Sequence, residues 1–393
     1  MTATPPVDLE FALLVAATAR PMTAHHRSVI ATAGPAIDWP RFARLVARHR
    51  IAPLAFEGLR ETLDAIPDEP RHDLRNQAQR ARVQALRLVG ALATVSTCLV
   101  DAGIPSASIK GPVLGLVAFG DASSRQCRDL DLLIAPHDVE RALAILCSSG
   151  FALVSPAGFA NSGRLDLWVR LMKDVSLYHE ASGALVEIHW RLNDNPHLLP
   201  ASVAESRQTI AMGTLRVDTL AADDLMLHLC AHGARHHWFR LKWLADVYAL
   251  LADHDVSACE RFHRYACENG LDIVAGQMLL LLNRIYGMDV PTEVSARVAI
   301  SRRTQWLVNF AEKQLRAQTE PGTTRFTSTA MAVMSPLLRC DRRFTLHEIA
   351  HALVDWPTVI SLGGSRSAYV IATLGRPLFW IARKLGLGAA LRR

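Results

Sequence analysis

Asp129 and Asp131 stand two residues apart at the head of the apolar run DLDLLIA. Such a run predicts a strand, and side chains along a strand alternate. Both carboxylates therefore share one face, while Leu130 and Leu132 take the other. Two like charges held side by side repel unless a cation lies between them. A hard divalent ion with oxygen ligands, usually Mg²⁺, removes that repulsion. The segment LVEIHW repeats the pattern, with Glu187 and His189 on one face and Val186, Ile188 and Trp190 on the other. If the two strands are neighbours, Glu187 adds a third carboxylate. Three acids on adjacent strands form a two-metal phosphoryl-transfer site, with Glu187 as ligand or as base for an acceptor.

Upstream, the strand-like PSASIK runs into Lys110-Gly111-Pro112 and then a helix. A glycine at a strand-to-helix turn lets a phosphate approach the backbone and the positive helix N-terminus. Lys110 offers a fixed charge, and Arg125, four residues before Asp129, is placed to reach the same phosphates.

These residues need a scaffold, and the chain changes texture twice to supply one. Up to about residue 90 it is rich in Ala, Leu and Arg at helical spacing. Phe42, Leu45 and Val46 recur at three and four residues, with Pro53 ending the run. The stretch RHDLRNQAQRARVQALRLVGALATVSTCLVDAG predicts one long helix closed by Gly103, its arginines read as a solvated face in preference to an RNA contact. From Ile104 to about Leu220, PSASIK, DLDLLIA, FALVS, DVSLYHE, ALVEIHW and TLRVDTL read as strands, with a helix in HDVERALAILCSSG. From about Ala222 onward the pattern is helical again. The expected fold is α+β: a small mixed-sheet core (104–220) between an N-terminal helical region (1–103) and a helical C-terminal domain with a basic tail (221–393).

Composition bounds the rest. Half of the 393 residues are apolar and a fifth are charged, too apolar for disorder. The net charge of +6 comes from a tail. After Asp355 there is no acid, while Arg366, Arg376, Arg383, Lys384, Arg392 and Arg393 supply six cations. Nucleic acid is therefore not favoured as a partner for the body. Seven scattered cysteines without a C-x-x-C pair read as reduced thiols. The early FALLVAATA follows acids and no cation, the wrong polarity for a signal peptide. No uninterrupted apolar run approaches the roughly 18–20 residues that cross a bilayer. A cytoplasmic location is expected.

The ordered set Lys110-Gly111, Phe119-Gly120-Asp121, Arg125, Asp129-Leu130-Asp131, Glu187-Ile188-His189-Trp190, His228, His232, Trp238, Leu241, Trp243 and Asp246 resembles a known family. It is similar to a bacterial group of uncharacterised nucleotidyltransferases within the polymerase-β-like superfamily. The match spans about 105–250. The resemblance implies Asp129, Asp131 and Glu187 as catalytic and metal-binding residues, with two Mg²⁺ ions as cofactors and an NTP as co-substrate. It implies Lys110, Gly111, Arg125, His189, His232 and Lys242 as nucleotide- or substrate-binding residues. The chain departs from the superfamily's Gly-Ser at Gly111-Pro112, so backbone N–H groups, Lys110 and Arg125 must hold the phosphates.

Other features have plainer readings beside the chemical one. His228, His232 and His236, spaced by four on one helix, are read as a polar face toward the cleft, as the resemblance suggests, in preference to a metal site. Arg240 and Lys242 are candidates for the triphosphate or substrate, with a solvated helix face as the equal alternative. His347-Glu348-x-x-His351 matches the zincin pattern, but residues 352–393 hold no His or Glu to complete it. The basic, Leu-rich tail reads first as a terminal helix, with weak membrane-surface or protein contact as the alternative. The expected activity is transfer of a nucleoside monophosphate from an NTP to a hydroxyl or phosphate acceptor, releasing pyrophosphate. A catalytically inactive binding or scaffold protein of a biosynthetic cluster is the competing class.

Overall fold

The computed structural model describes residues 8–34, 36–156, 164–252, 256–319, 325–354 and 356–384. Four short helices open the chain: α1 (Leu9–Thr18), α2 (Ala24–Ala31), α3 (Trp39–His49) and α4 (Ala52–Gly58). The apolar start is α1, capped by Asp8, whose carboxylate accepts from the Phe11 N–H. The break between α3 and α4 corrects the expectation at Pro53. Arg50 ends α3 in a left-handed conformation (φ 53°), and Pro53 sits in the first turn of α4, where a missing N–H costs nothing.

The long helix, α5 (Asp68–Asp101), ties the two halves of the molecule together. Its early residues Leu74 and Ala78 join a core built from α1–α4 and the C-terminal helices. Its later residues Leu88, Leu92, Val95 and Leu99 pack into the core of the sheet. Among the described residues it alone is long and apolar enough to cross a bilayer. Averaged composition passes that test although no uninterrupted run does, and its apolar stripe is turned onto the sheet.

The sheet follows, with β1 (Ser106–Ser108), α6 (Gly111–Phe119), β2 (Asp129–Ile134), α7 (Val139–Ser148), β3 (Phe151–Ser155), α8 (Leu165–Leu171), β4 (Asp174–His179) and β5 (Ala184–His189). The five strands lie in the order β1-β2-β5-β4-β3. Only β2 and β5 run parallel; the other pairs are antiparallel. Leu130 and Leu132 of β2 and Val186 and Ile188 of β5 are fully or almost fully buried on one face, as the alternation predicts. A separate hairpin of β6 (Arg207–Met212) and β7 (Leu215–Leu220) closes this region. β6 was not anticipated, because RQTIAM mixes charged, polar and small residues and shows itself only through its pairing with β7.

The remaining helices are α9 (Ala222–Arg235), α10 (Leu241–Ala252), α11 (Val256–Glu268), α12 (Asp272–Tyr286), α13 (Thr292–Ile300), α14 (Arg302–Arg316), α15 (Arg325–Met334), α16 (Arg342–Leu353), α17 (Trp356–Ser361) and α18 (Arg366–Lys384). The architecture is α+β, a mixed-sheet core accompanied by helices on both sides in sequence. The N-terminal and C-terminal helices share one core. The Tyr248 and Tyr286 rings stack at 4.4 Å, and Thr18 Oγ1 lies 3.1 Å from the Tyr286 hydroxyl. Buried His49 accepts the Leu241 N–H at 2.9 Å, and the Arg240 guanidinium donates to the Arg48 carbonyl. All seven cysteines are free. The tail beyond Lys384 lies outside the described residues.

Candidate active site

Parallel pairing of β2 with β5 sets Asp131 directly opposite Glu187. Both side chains leave the face opposite the buried leucines, and His189 follows Glu187 on that face. Ligand atoms of Asp131, Glu187 and His189 all lie within 4.8 Å of one another. His189 Nε2 is 3.2 Å from Asp131 Oδ1 and 3.3 Å from Glu187 Oε2. Yet neither ring nitrogen has hydrogen-bond geometry to a partner, although the imidazole is buried. Three donors that converge on a common point instead of bonding to each other fit a divalent ion held by oxygen and imidazole ligands.

The charges around the group are uneven. Asp131 is 5% exposed, and burial alone would favour its neutral form. The Lys110 ammonium, 3.2 Å from Oδ1, and His189 override that and hold its carboxyl well below the usual range. Asp129 sits one pleat earlier, opposite Leu185. Burial first, then Asp131 and Glu187, push its carboxyl up. His189 is buried, which opposes protonation, but the neighbouring carboxylates of Asp131 and Glu187 raise it on balance. Its other nitrogen faces Asp174 at 3.7 Å, and Asp174 is paired with Lys173. The lysine and aspartate at the start of β4 were not anticipated. Their one trace in the sequence is an acid at a strand start, which is informative only once β4 is known to pair with β5.

Lys110 reaches Asp131 because of the turn that precedes α6. Gly111 has φ 65°, a conformation open to glycine and strained for other residues, and it starts the helix. Ile109 N–H donates to the Asp131 carbonyl at 3.1 Å, which pins the turn to β2.

The family described as uncharacterised nucleotidyltransferase matches over residues 35–287. The chain belongs to this family. None of the curated proteins and none of the solved structures matches it.

In this family member the remaining residues singled out by sequence fall into two sets. His228 lies close to Asp131 and Lys242 close to Asp129, with His232 next to His228. His228 is completely buried, and both of its ring nitrogens lack a partner. Burial, then Lys110, holds it neutral, with Asp131 and His189 also close enough to act on it. His232 and His236 continue outward, with ring centroids 4.6 Å apart, and His236 stacks on Trp243 at 5.1 Å. Burial and the Arg125 charge lower the Lys242 ammonium to about 7, against the opposing pull of Asp246 and Asp129. Its Nζ donates to the Gln126 carbonyl at 3.4 Å.

Arg125 belongs to the second set. Its guanidinium is 4% exposed as a residue and grips Asp246 with three contacts of 3.0 Å. Burial disfavours its charge, but Asp246 raises its pKa nonetheless. In this geometry Arg125 fastens α10 to the segment entering β2, its guanidinium taken up by Asp246 and Cys127. Arg240 likewise donates inward, to the Arg48 carbonyl. Glu348 of the His347-Glu348-x-x-His351 pattern is buried in α16, bonded to Arg235 and, at 2.8 Å, to the Asn195 amide. An acid held by a guanidinium is not a free base beside a zinc ion. Among the described residues, the group of Asp131, Glu187 and His189 is the candidate metal site.

Proposed function

We propose that the protein transfers a nucleoside monophosphate from an NTP to a hydroxyl or phosphate acceptor and releases pyrophosphate, with Mg²⁺ at the carboxylates. The observation that carries this reading is the parallel register that sets Asp131 against Glu187, with His189 converging on both. Asp131, already stripped of its proton, and Glu187 would hold a divalent ion, with His189 beside them and Asp129 completing the acidic set. A second ion is part of the proposal. Bound metal would supply charge neutralisation at the triphosphate and lower the barrier to attack by the acceptor oxygen. Lys110 offers its ammonium on the Asp131 side and Lys242 on the Asp129 side, flanking the place a triphosphate would take. The neutral imidazoles of His228 and His232 present donors and acceptors without adding charge.

Calorimetric titration of Mg²⁺ with each NTP, on wild type and Asp131→Ala, tests this. Metal-dependent nucleotide binding that disappears in the variant is the expected result. Equal weak binding in both proteins would replace the enzyme by a scaffold that keeps the fold.

A further inference from the structure

A cavity of about 440 Å³ lies between α3, α5 and the segment that leads into β2. Its size is in the range of small-molecule sites. From α5 it takes Asp73, Gln77, Arg80 and Gln84, spaced by four, three and four, which one helical face presents together. From the segment before β2 it takes Gln126, Cys127 and Arg128, so its wall ends one residue before Asp129. From Cys127 to Asp129 is two residues of extended chain, about 7 Å.

The lining specifies a ligand class. Arg80 and Arg128 have no ion-pair partner among the described residues, whereas Asp73 accepts from the Gln77 amide at 2.9 Å. Two unpaired guanidinium groups against one hydrogen-bonded carboxylate favour an anion, and a guanidinium fork suits phosphate oxygens. Three carboxamides, from Gln77, Gln84 and Gln126, offer donors and acceptors side by side. The Gln126 Oε1 is buried without a partner, an acceptor that a ligand hydroxyl would satisfy. No aromatic ring lines the cavity, so a nucleobase would find no surface to stack on.

We propose that this cavity is the acceptor site and takes a phosphorylated, hydroxyl-rich small molecule of the sugar-phosphate class. Naming the occupant as acceptor rests on the nucleotidyltransferase reading; the ligand class rests on the lining. The phosphate lies against Arg80 and Arg128, and a hydroxyl reaches toward the carboxylates. That oxygen forms a bond to the α-phosphorus of the NTP, and the bond from the α-phosphorus to the bridging oxygen breaks. Pyrophosphate leaves with the electron pair, and the hydroxyl proton passes to a carboxylate of the site.

The test is calorimetry with a panel of hexose phosphates, the matching free hexoses, inorganic phosphate and NTP without metal. Hexose phosphates are expected to bind saturably and more tightly than either free hexoses or inorganic phosphate. The Arg80→Ala/Arg128→Ala double variant, altered at two exposed positions, is expected to weaken that binding at least tenfold while Mg²⁺·NTP binding stays unchanged. Asp131→Ala is expected to leave hexose phosphate binding intact. No binding across the panel, binding indifferent to the two arginines, equal binding of inorganic phosphate, or displacement by NTP would each overturn the proposal. Hexose phosphate binding without any Mg²⁺·NTP binding in wild type would instead overturn the nucleotidyltransferase reading and leave the ligand class standing.

Discussion

Replacing Asp246 by Ala separates a structural arginine from a substrate-binding one. The carboxylate is almost wholly buried and receives Nε and Nη2 of Arg125 at 3.0 Å. Its removal leaves a guanidinium with no counter-charge in a site that water does not reach, next to the Lys242 ammonium. Breaking one partner of a buried pair costs about 3–5 kcal/mol. Three of the four hydrogen bonds of the Arg125 guanidinium vanish with it, leaving the one to the Cys127 sulfur, so the upper part of that range is expected. Removing both charges together, in Arg125→Met/Asp246→Leu, leaves no stranded ion, and such swaps are often neutral or stabilising. Urea unfolding followed by circular dichroism reads all three proteins. An Asp246→Ala protein weaker by at least about 3 kcal/mol, with a double variant close to wild type, is expected from the buried pair. Calorimetry on the double variant then decides the arginine's role: Mg²⁺·NTP binding should survive. An Asp246→Ala protein as stable as wild type, or a stable double variant that has lost nucleotide, would refute the assignment of Arg125 to fastening α10.

Three further outcomes follow from the geometry. Glu187→Gln keeps the shape of β5 but removes a charge from the converging group, so Mg²⁺ affinity by calorimetry should fall at least tenfold, about 1.4 kcal/mol or more. Gly111→Ala places a side chain at φ 65°; a loss of about 1–2 kcal/mol is expected in urea unfolding, and an unchanged midpoint would show that the turn relaxes. Burial lowers the pKa of His236 to about 3 and of His237 to about 4, whereas in the unfolded chain both titrate near 6.5. The unfolded state therefore binds more protons below that pH. The contribution of these two histidines should be constant above about pH 7 and fall as pH drops from 6.5 toward 4, by up to about 1.4 kcal/mol per pH unit for each histidine. A urea midpoint unchanged between pH 7 and pH 5 would contradict the burial.

Much of the site was legible because a strand's period is two. Asp129 with Asp131, and Glu187 with His189, share faces wherever those strands go, since Leu130, Leu132, Val186 and Ile188 must be buried on the other side. The Gly111 turn was legible for a related reason: a strand that runs directly into a helix needs a residue free to take positive φ. Partners distant in sequence were not legible. Arg125 precedes the acids by four residues, which suggested a phosphate ligand, but Asp246, 121 positions away, had already claimed it. Nor does any local pattern reveal that Glu348 faces Arg235, or that a polar α5 face and the residues before Asp129 enclose one cavity.

Local alternation and turn chemistry by themselves determined which side chains share a face, which of the site-bearing segments are strands or helices, and that the acids lie near one another along their own strands. Strand order, register and helix docking decided the rest: that β2 lies parallel to β5 with residue 131 opposite 187, and that α10 delivers a carboxylate to Arg125. The reason is physical. Backbone geometry acts between neighbours in the chain, whereas pairing of buried charges depends on groups that only the packed core brings within a few ångströms of each other.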